Sequence, residues 1–204
     1  MSGRGDCGSE GRRRQVEEIV AAAVDGRRLR LREIETLLAV TDTQEAGLLF
    51  EGAQTLRERH FGRSVFLYGF VYFSTYCRNR CTFCFYRRGN RLSPRYRKTA
   101  EEVVGIARGL AGSGVHLVDL TMGEDPAIHD RGTFEVVADL VAKVRASVDL
   151  PVMVSPGVVP PDALRAFRDA GADWYACYQE THSPALYEKL RPDQDFLARV
   201  AARG

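Results

Sequence analysis

The 204-residue chain has little tryptophan (1), methionine (3) or histidine (4) and no long apolar run. Its longest apolar stretch, residues 65–73, is broken by Gly69 and falls far short of the ~20 residues needed to cross a bilayer. No membrane partner is therefore expected. The opening MSGRGDCGSEGRRRQ has no apolar segment behind its charges, so it does not read as a secretory signal, and a cytoplasmic, thiol-reducing compartment is expected. An excess of one charge is also missing. Lys and Arg number 29 against 27 Asp and Glu, a formal +2 that argues against nucleic acid or an anionic lipid surface as the main partner. The cysteines, five in all, are an odd count with three inside eight residues, which favours ligation over a disulfide framework. What remains is 45% hydrophobic and 27% charged, the composition of a folded domain.

The first sixty residues read as helices. Val16, Ile19, Val20 and Ala23 keep helical spacing up to Gly26, Leu31, Ile34, Leu37 and Leu38 repeat it, and Ala46, Leu49, Ala53 and Leu56 follow Asp42. A helical cap over 1–62, with flexible first residues, is expected. From Val65 the texture becomes β-branched and aromatic, VFLYGFVYFSTY, the composition of a strand buried on both faces. Helices and strands then alternate. Thr99 and Glu102 form a capping box before Val103, Ile106, Ala107 and Leu110; residues 115–122 are a strand; Thr133 opens a helix; 150–155 are a third strand. Pro160 and Pro161 begin the next helix, 174–178 form a fourth strand, and a last helix starts near Ser183.

Strand and helix alternating four times predict an α/β fold with parallel strands, either a TIM-type barrel or a doubly wound sheet. The residues after 62 are too few for a whole barrel, which takes about 200 to 250. Only its N-terminal half, over 63–204, fits. A truncated chain, with an unpaired strand edge and an uncovered apolar face, is the expectation.

The strongest local signal is Cys77-Arg-Asn-Arg-Cys81-Thr-Phe-Cys84, directly after the first strand. Loops at the C-terminal ends of barrel strands are where active sites sit, and three thiolates there can hold three irons of a [4Fe-4S] cluster. The fourth iron would stay open to a small molecule. Structural zinc is the alternative, but it normally takes four Cys or His ligands and no second cysteine pair is present. Asp119, inside an otherwise apolar strand, is costly unless paired, whether with a substrate ammonium, with an arginine or with a backbone group that it caps. Glu124 and Asp125 at a strand end also suit helix capping. Arg78, Arg80, Arg87 and Arg88 read as a thiolate-stabilising loop, a surface face or a dock for an acidic electron donor.

The pattern C-x3-C-x-aromatic-C, met at Cys77, Cys81, Phe83 and Cys84, resembles that of the radical S-adenosylmethionine (radical SAM) superfamily. LTMGEDP after the second strand and YQETHSPALYEKLRP after the fourth resemble its biotin-synthase-like branch, above all the members that make 3-methylornithine from L-lysine. The resemblance implies that Cys77, Cys81 and Cys84 ligate a [4Fe-4S] cluster whose open iron is chelated by S-adenosyl-L-methionine, and that reductive cleavage yields a 5′-deoxyadenosyl radical. By the same resemblance Phe83 lies near the adenine, Gly123 and Glu124 receive the methionyl amino group, and Glu180 contacts S-adenosylmethionine. An amino-acid substrate, lysine, and a flavodoxin- or ferredoxin-type electron donor are implied, with a hydrogenase maturase as the sibling activity. Part of the substrate pocket in such barrels comes from strands that this chain does not supply.

Overall fold

The computed structural model describes residues 6–203. The flexible first residues expected from the sequence (1–5) and Gly204 lie outside the described residues, as does the Cys7 side chain. The chain divides into two compact units, one up to Val65 and one from Phe66 onward.

The first unit holds α1 (Asp6–Val24), α2 (Leu31–Leu38) and α3 (Thr43–Phe61). Gly26, at φ +86°, ends the turn after α1, and the Asp42 carboxylate caps α3 by accepting from the amides of Gln44 (2.8 Å) and Glu45 (3.0 Å). Val16 and Ile19 are buried, and α3 comes close to α1 at Gly52, where any side chain would strike Val20. In α2 no residue is buried: Leu31, Ile34 and Leu38 keep their apolar stripe exposed.

The second unit runs β1 (Tyr68–Ser74), α4 (Ala100–Gly112), β2 (Leu117–Met122), α5 (Pro126–His129), α6 (Glu135–Arg145), β3 (Val152–Ser155), α7 (Pro161–Asp169), β4 (Trp174–Tyr175), α8 (Pro184–Leu190) and α9 (Phe196–Ala201). The strands lie in the order β1-β2-β3-β4, all parallel. The predicted Thr99–Glu102 capping box is formed, Ser183 caps α8, and α7 starts at Pro161 with Pro160 as its cap. Thr133 does not open α6. Its hydroxyl donates to the Ala127 carbonyl, and the helix begins two residues later behind Phe134.

Register assigns each side chain to a face. Val71, Leu120 and Val154 lie in one row, with Val118 and Val152 two residues before the last two, and all are buried with Val103, Ala107, Val137, Val141, Val144 and Phe167 from α4, α6 and α7. The helix α4 approaches β1 over Gly69, where a methyl group would come within 2.8 Å of Leu110. The other face carries Phe70, Asp119, Met153 and Trp174 in one row and Tyr72, Thr121 and Ser155 in the next. Tyr68, Phe70 and Trp174 on that side are 44%, 45% and 62% exposed, so β1 is not buried on both faces as its composition suggested. Within this unit α4, α6 and α7 cover one side of the sheet. β1 and β4 each have a strand neighbour on one side among the described residues. The fourth strand is also shorter than expected, since after Tyr175 the chain leaves the ladder.

Candidate active site at the C-terminal ends of the strands

The cysteine loop leaves β1 at Ser74 and returns at Arg97, where the two form an antiparallel bridge. Arg95 closes it. Its guanidinium donates to the carbonyls of Thr75, Tyr86 (2.9 Å) and Arg87 (2.7 Å), gathering both ends of the loop on one rigid fork. Beside it, the fully buried Asp125 accepts from Ser74 Oγ (2.6 Å), from Arg97 Nε (2.7 Å) and Nη2 (2.8 Å), and from the Ala127 amide (2.9 Å). Asp125 is thus the cap of α5 and also the tie between β1, the returning loop and β2. Its burial opposes ionisation, but Arg97 and Ser74 hold its carboxyl below the ordinary range.

Cys81 is buried, Cys77 and Cys84 are half-buried, and all three are free thiols. Burial pushes the Cys77 thiol up, with Glu124 and Cys81 adding to the rise. The Tyr76 carbonyl and the Cys77 Cβ leave no room for a side chain at Gly123, where a methyl group would sit 2.8 Å from that Cβ. The Arg78 amide donates to the Glu124 carbonyl (2.9 Å), so the first cysteine rests directly on the end of β2. Glu124 is buried between two arginines, Arg78 Nε at 3.2 Å and Arg199 Nη2 at 2.8 Å. Burial raises its pKa, but Arg199 and further partners leave it lowered on balance. It caps no helix.

Glu180, at φ +65°, pairs with Arg191 Nη2 at 2.5 Å. Arg191 also reaches Cys81 Sγ (Nη1, 3.6 Å) and lies 5.5 Å from the centre of the Phe83 ring, which is half exposed. The structure therefore gathers Cys81, Phe83 and Glu180 around one buried guanidinium. Asp119, fully buried, accepts from Ser155 Oγ (2.8 Å) through Oδ1, while its Oδ2 and the Thr121 hydroxyl have no partner. Among the described residues no cation pairs with it. Burial raises its pKa. Asp119 stands level with Phe70 and one row from Tyr72, on the side of the sheet away from α4, α6 and α7.

Arg78, Arg80 and Arg87 are not a free basic face. They bind Glu124 and Asp130, Asp193, and the Cys84 carbonyl respectively. A cleft of about 510 Å³ opens between the loop and α9, lined among others by Arg78, Arg80, Glu124, Gln194 and Arg199. Arg191, Gln194, Arg199 and Arg95 were not singled out from sequence. Arg199 had one signal, a charge inside the apolar FLARVA; the others had none, because Arg191 meets Cys81 across 110 residues of chain.

Residues 71–202 match the profile of the Radical SAM superfamily. The chain belongs to that superfamily. Radical SAM proteins use a [4Fe-4S] cluster and S-adenosylmethionine, and the α/β fold with its parallel sheet is the superfamily's barrel in part. The chain is 42% identical over 180 residues to 3-methylornithine synthase of Methanosarcina barkeri, covering 88% of this chain and 51% of that one. Against the FeFe-hydrogenase maturase subunit HydE of Thermotoga maritima it is 34% identical over 167 residues, covering 82% and 47%. The crystal structure of methylornithine synthase (PylB) superposes with a TM-score of 0.76 at 40% identity, covering 91% of this chain and 54% of that one. The chain spans about half the length of the curated relatives it matches.

The donor set suits the radical SAM cofactors. Three free thiols share one loop, and the buried Nε of Arg191, between Cys81 and Glu180, has no acceptor. Among the described residues no three His, Cys, Asp or Glu side chains converge as ligands of a single ion. A cubane takes one thiolate at each iron corner and requires no such convergence.

Proposed function

We propose that the chain forms the cluster and S-adenosylmethionine side of an enzyme that isomerises L-lysine to 3-methylornithine for pyrrolysine biosynthesis. The observation that carries this reading is the cysteine loop at the C-terminal end of β1, in a chain 42% identical to a 3-methylornithine synthase. Cys77, Cys81 and Cys84 each ligate one iron and leave the fourth for S-adenosylmethionine. When bound, the cluster and S-adenosylmethionine supply a carbon-centred radical that removes a hydrogen atom from the substrate. Phe83 offers its exposed ring to the adenine, Gly123 and Glu124 receive the methionyl amino group, and Glu180 contacts S-adenosylmethionine from the far side of the loop. Asp119 takes the lysine ammonium on its unpartnered Oδ2, which the lone Ser155 hydroxyl leaves free.

Residues 1–62 act as a separate helical unit and residues 63–204 as the first four βα units of the barrel. None of the described helices is long and apolar enough to cross a membrane. The cytoplasm is the proposed compartment and a flavodoxin- or ferredoxin-type protein the proposed electron donor. The 34% identity to HydE keeps a maturase-type activity as the second reading.

Anaerobic reconstitution with iron and sulfide tests the proposal. The expected result is a brown protein with about four irons, lost in Cys81→Ala, that releases 5′-deoxyadenosine with dithionite and S-adenosylmethionine. Mass spectrometry should then find 3-methylornithine when lysine is supplied. Zinc in place of iron overturns the cluster assignment. A cluster that never yields 5′-deoxyadenosine makes the chain a metal-binding protein without this activity.

A further inference from the structure

Cys81 differs from the other two cysteines in its surroundings. It is buried, and two side-chain donors from the segment after α8 are aimed at its sulfur: Gln194 Nε2 at 3.1 Å and Arg191 Nη1 at 3.6 Å. The orientation of the Gln194 amide is determined by its other partners. Its Oε1 accepts from Arg191 Nη1 (3.2 Å) and from Arg199 Nη2 (2.9 Å). Guanidinium groups only donate, so a flipped amide would set its NH2 against two donors, and the NH2 is left to face the sulfur. Arg191 is held in turn by Glu180, and Arg199 by Glu124. One buried ion pair, Arg199 with Glu124, and one partly exposed pair, Arg191 with Glu180, thus brace one amide against one sulfur.

Hydrogen bonds to cluster sulfurs and nearby positive charge stabilise the more negative, reduced form of an iron–sulfur centre and raise its potential. We infer that Gln194 and Arg191 are positioning residues for the cluster, setting its reduction potential through Cys81 and tying that sulfur to Glu180. This rests on the three cysteines holding a [4Fe-4S] cluster. The couple is a one-electron step: the oxidised cluster takes one electron from a low-potential reductant such as dithionite, with no bond made or broken in the protein.

The test is a redox titration of the anaerobically reconstituted full chain, read by the electron paramagnetic resonance of the reduced cluster. Gln194→Leu should make reduction about tenfold less favourable at a given ambient potential, a fall of about 59 mV for one electron. Gln194→Glu keeps the oxygen that both arginines use but replaces the donor with a charge, so its fall should be larger; it also serves if the leucine variant loses iron. Resonance Raman of the parent should show an Fe–Sγ stretch that shifts in deuterium oxide, and this shift should vanish in Gln194→Leu. Potentials unchanged in both variants, with the deuterium shift retained, overturn the inference while leaving the cluster in place. A parent chain that binds no iron overturns the cluster reading itself.

Discussion

Asp119 carries a cost in stability that the proposed substrate contact would offset. Its carboxylate is fully buried with one hydroxyl donor, and burial raises its pKa. An acid whose folded pKa lies above its unfolded value is penalised when ionised, so this penalty is present at neutral pH and is relieved as pH falls through the folded value. Asp119→Asn should therefore leave thermal stability equal or higher at pH 7, by about 1 kcal/mol, while lysine-dependent product falls at least a hundredfold. A drop in melting temperature with activity retained would show a structural role instead. Asp125 behaves in the opposite sense. Its lowered pKa contributes stability that is full above about pH 4 and is lost as pH falls through the folded value. Its loss in Asp125→Ala should cost about 2 kcal/mol by urea denaturation, an amount discounted because Arg97 is half exposed. Asp119 could be recognised in the sequence as a charge in apolar company and Asp125 as a helix cap, but which one was paired with a cation could not, because Arg97 and Ser74 reach Asp125 only once β1 and β2 are paired.

At the scale of elements, the loop after β1 is held by backbone acceptors more than by its own side-chain packing. Arg95 collects its carbonyls and Gly123 lets Cys77 rest on the end of β2. Gly123→Ala should keep the helical circular dichroism of the parent but bind less than half its iron, since the added methyl group can be accommodated only by moving the Tyr76 carbonyl and Cys77. The Thr99 cap of α4 follows two residues after the loop has returned at Arg97, and its capping partner, Glu102, belongs to the helix. Thr99→Ala should lower stability by about 1 kcal/mol in urea titration without changing iron content. Element identity was largely legible, because hydrophobic periodicity and the Thr99, Pro161 and Ser183 start signals act within a few residues. The short helices α5 and α9 were not, since four and six residues hold too little periodicity to register. The two-sided burial expected of β1 failed for a related reason. Composition reports how apolar a strand is, while its burial depends on what lies against each face.

For the second unit, which carries the sheet, one face is covered by α4, α6 and α7 and the other shows Tyr68, Phe70 and Trp174 to solvent. Exposed aromatic surface of this extent drives association. The isolated chain should bind a hydrophobic dye at pH 7 and scatter light at micromolar concentration, and Phe70→Ser with Trp174→Ser should reduce both signals. Unchanged dye binding would place the responsible surface elsewhere, such as the open stripe of Leu31, Ile34 and Leu38 on α2. The sequence by itself determined the alternation of strands and helices, the three-cysteine loop and the membership those residues signal, because these rest on spacing within one segment. Only the tertiary structure decided that Arg191, Gln194 and Arg199 close around Cys81, Glu124 and Glu180, and that Asp119 keeps an oxygen unpartnered. Those pairings join residues far apart in the chain, and their geometry exists only after the parallel strands have brought their C-terminal ends together.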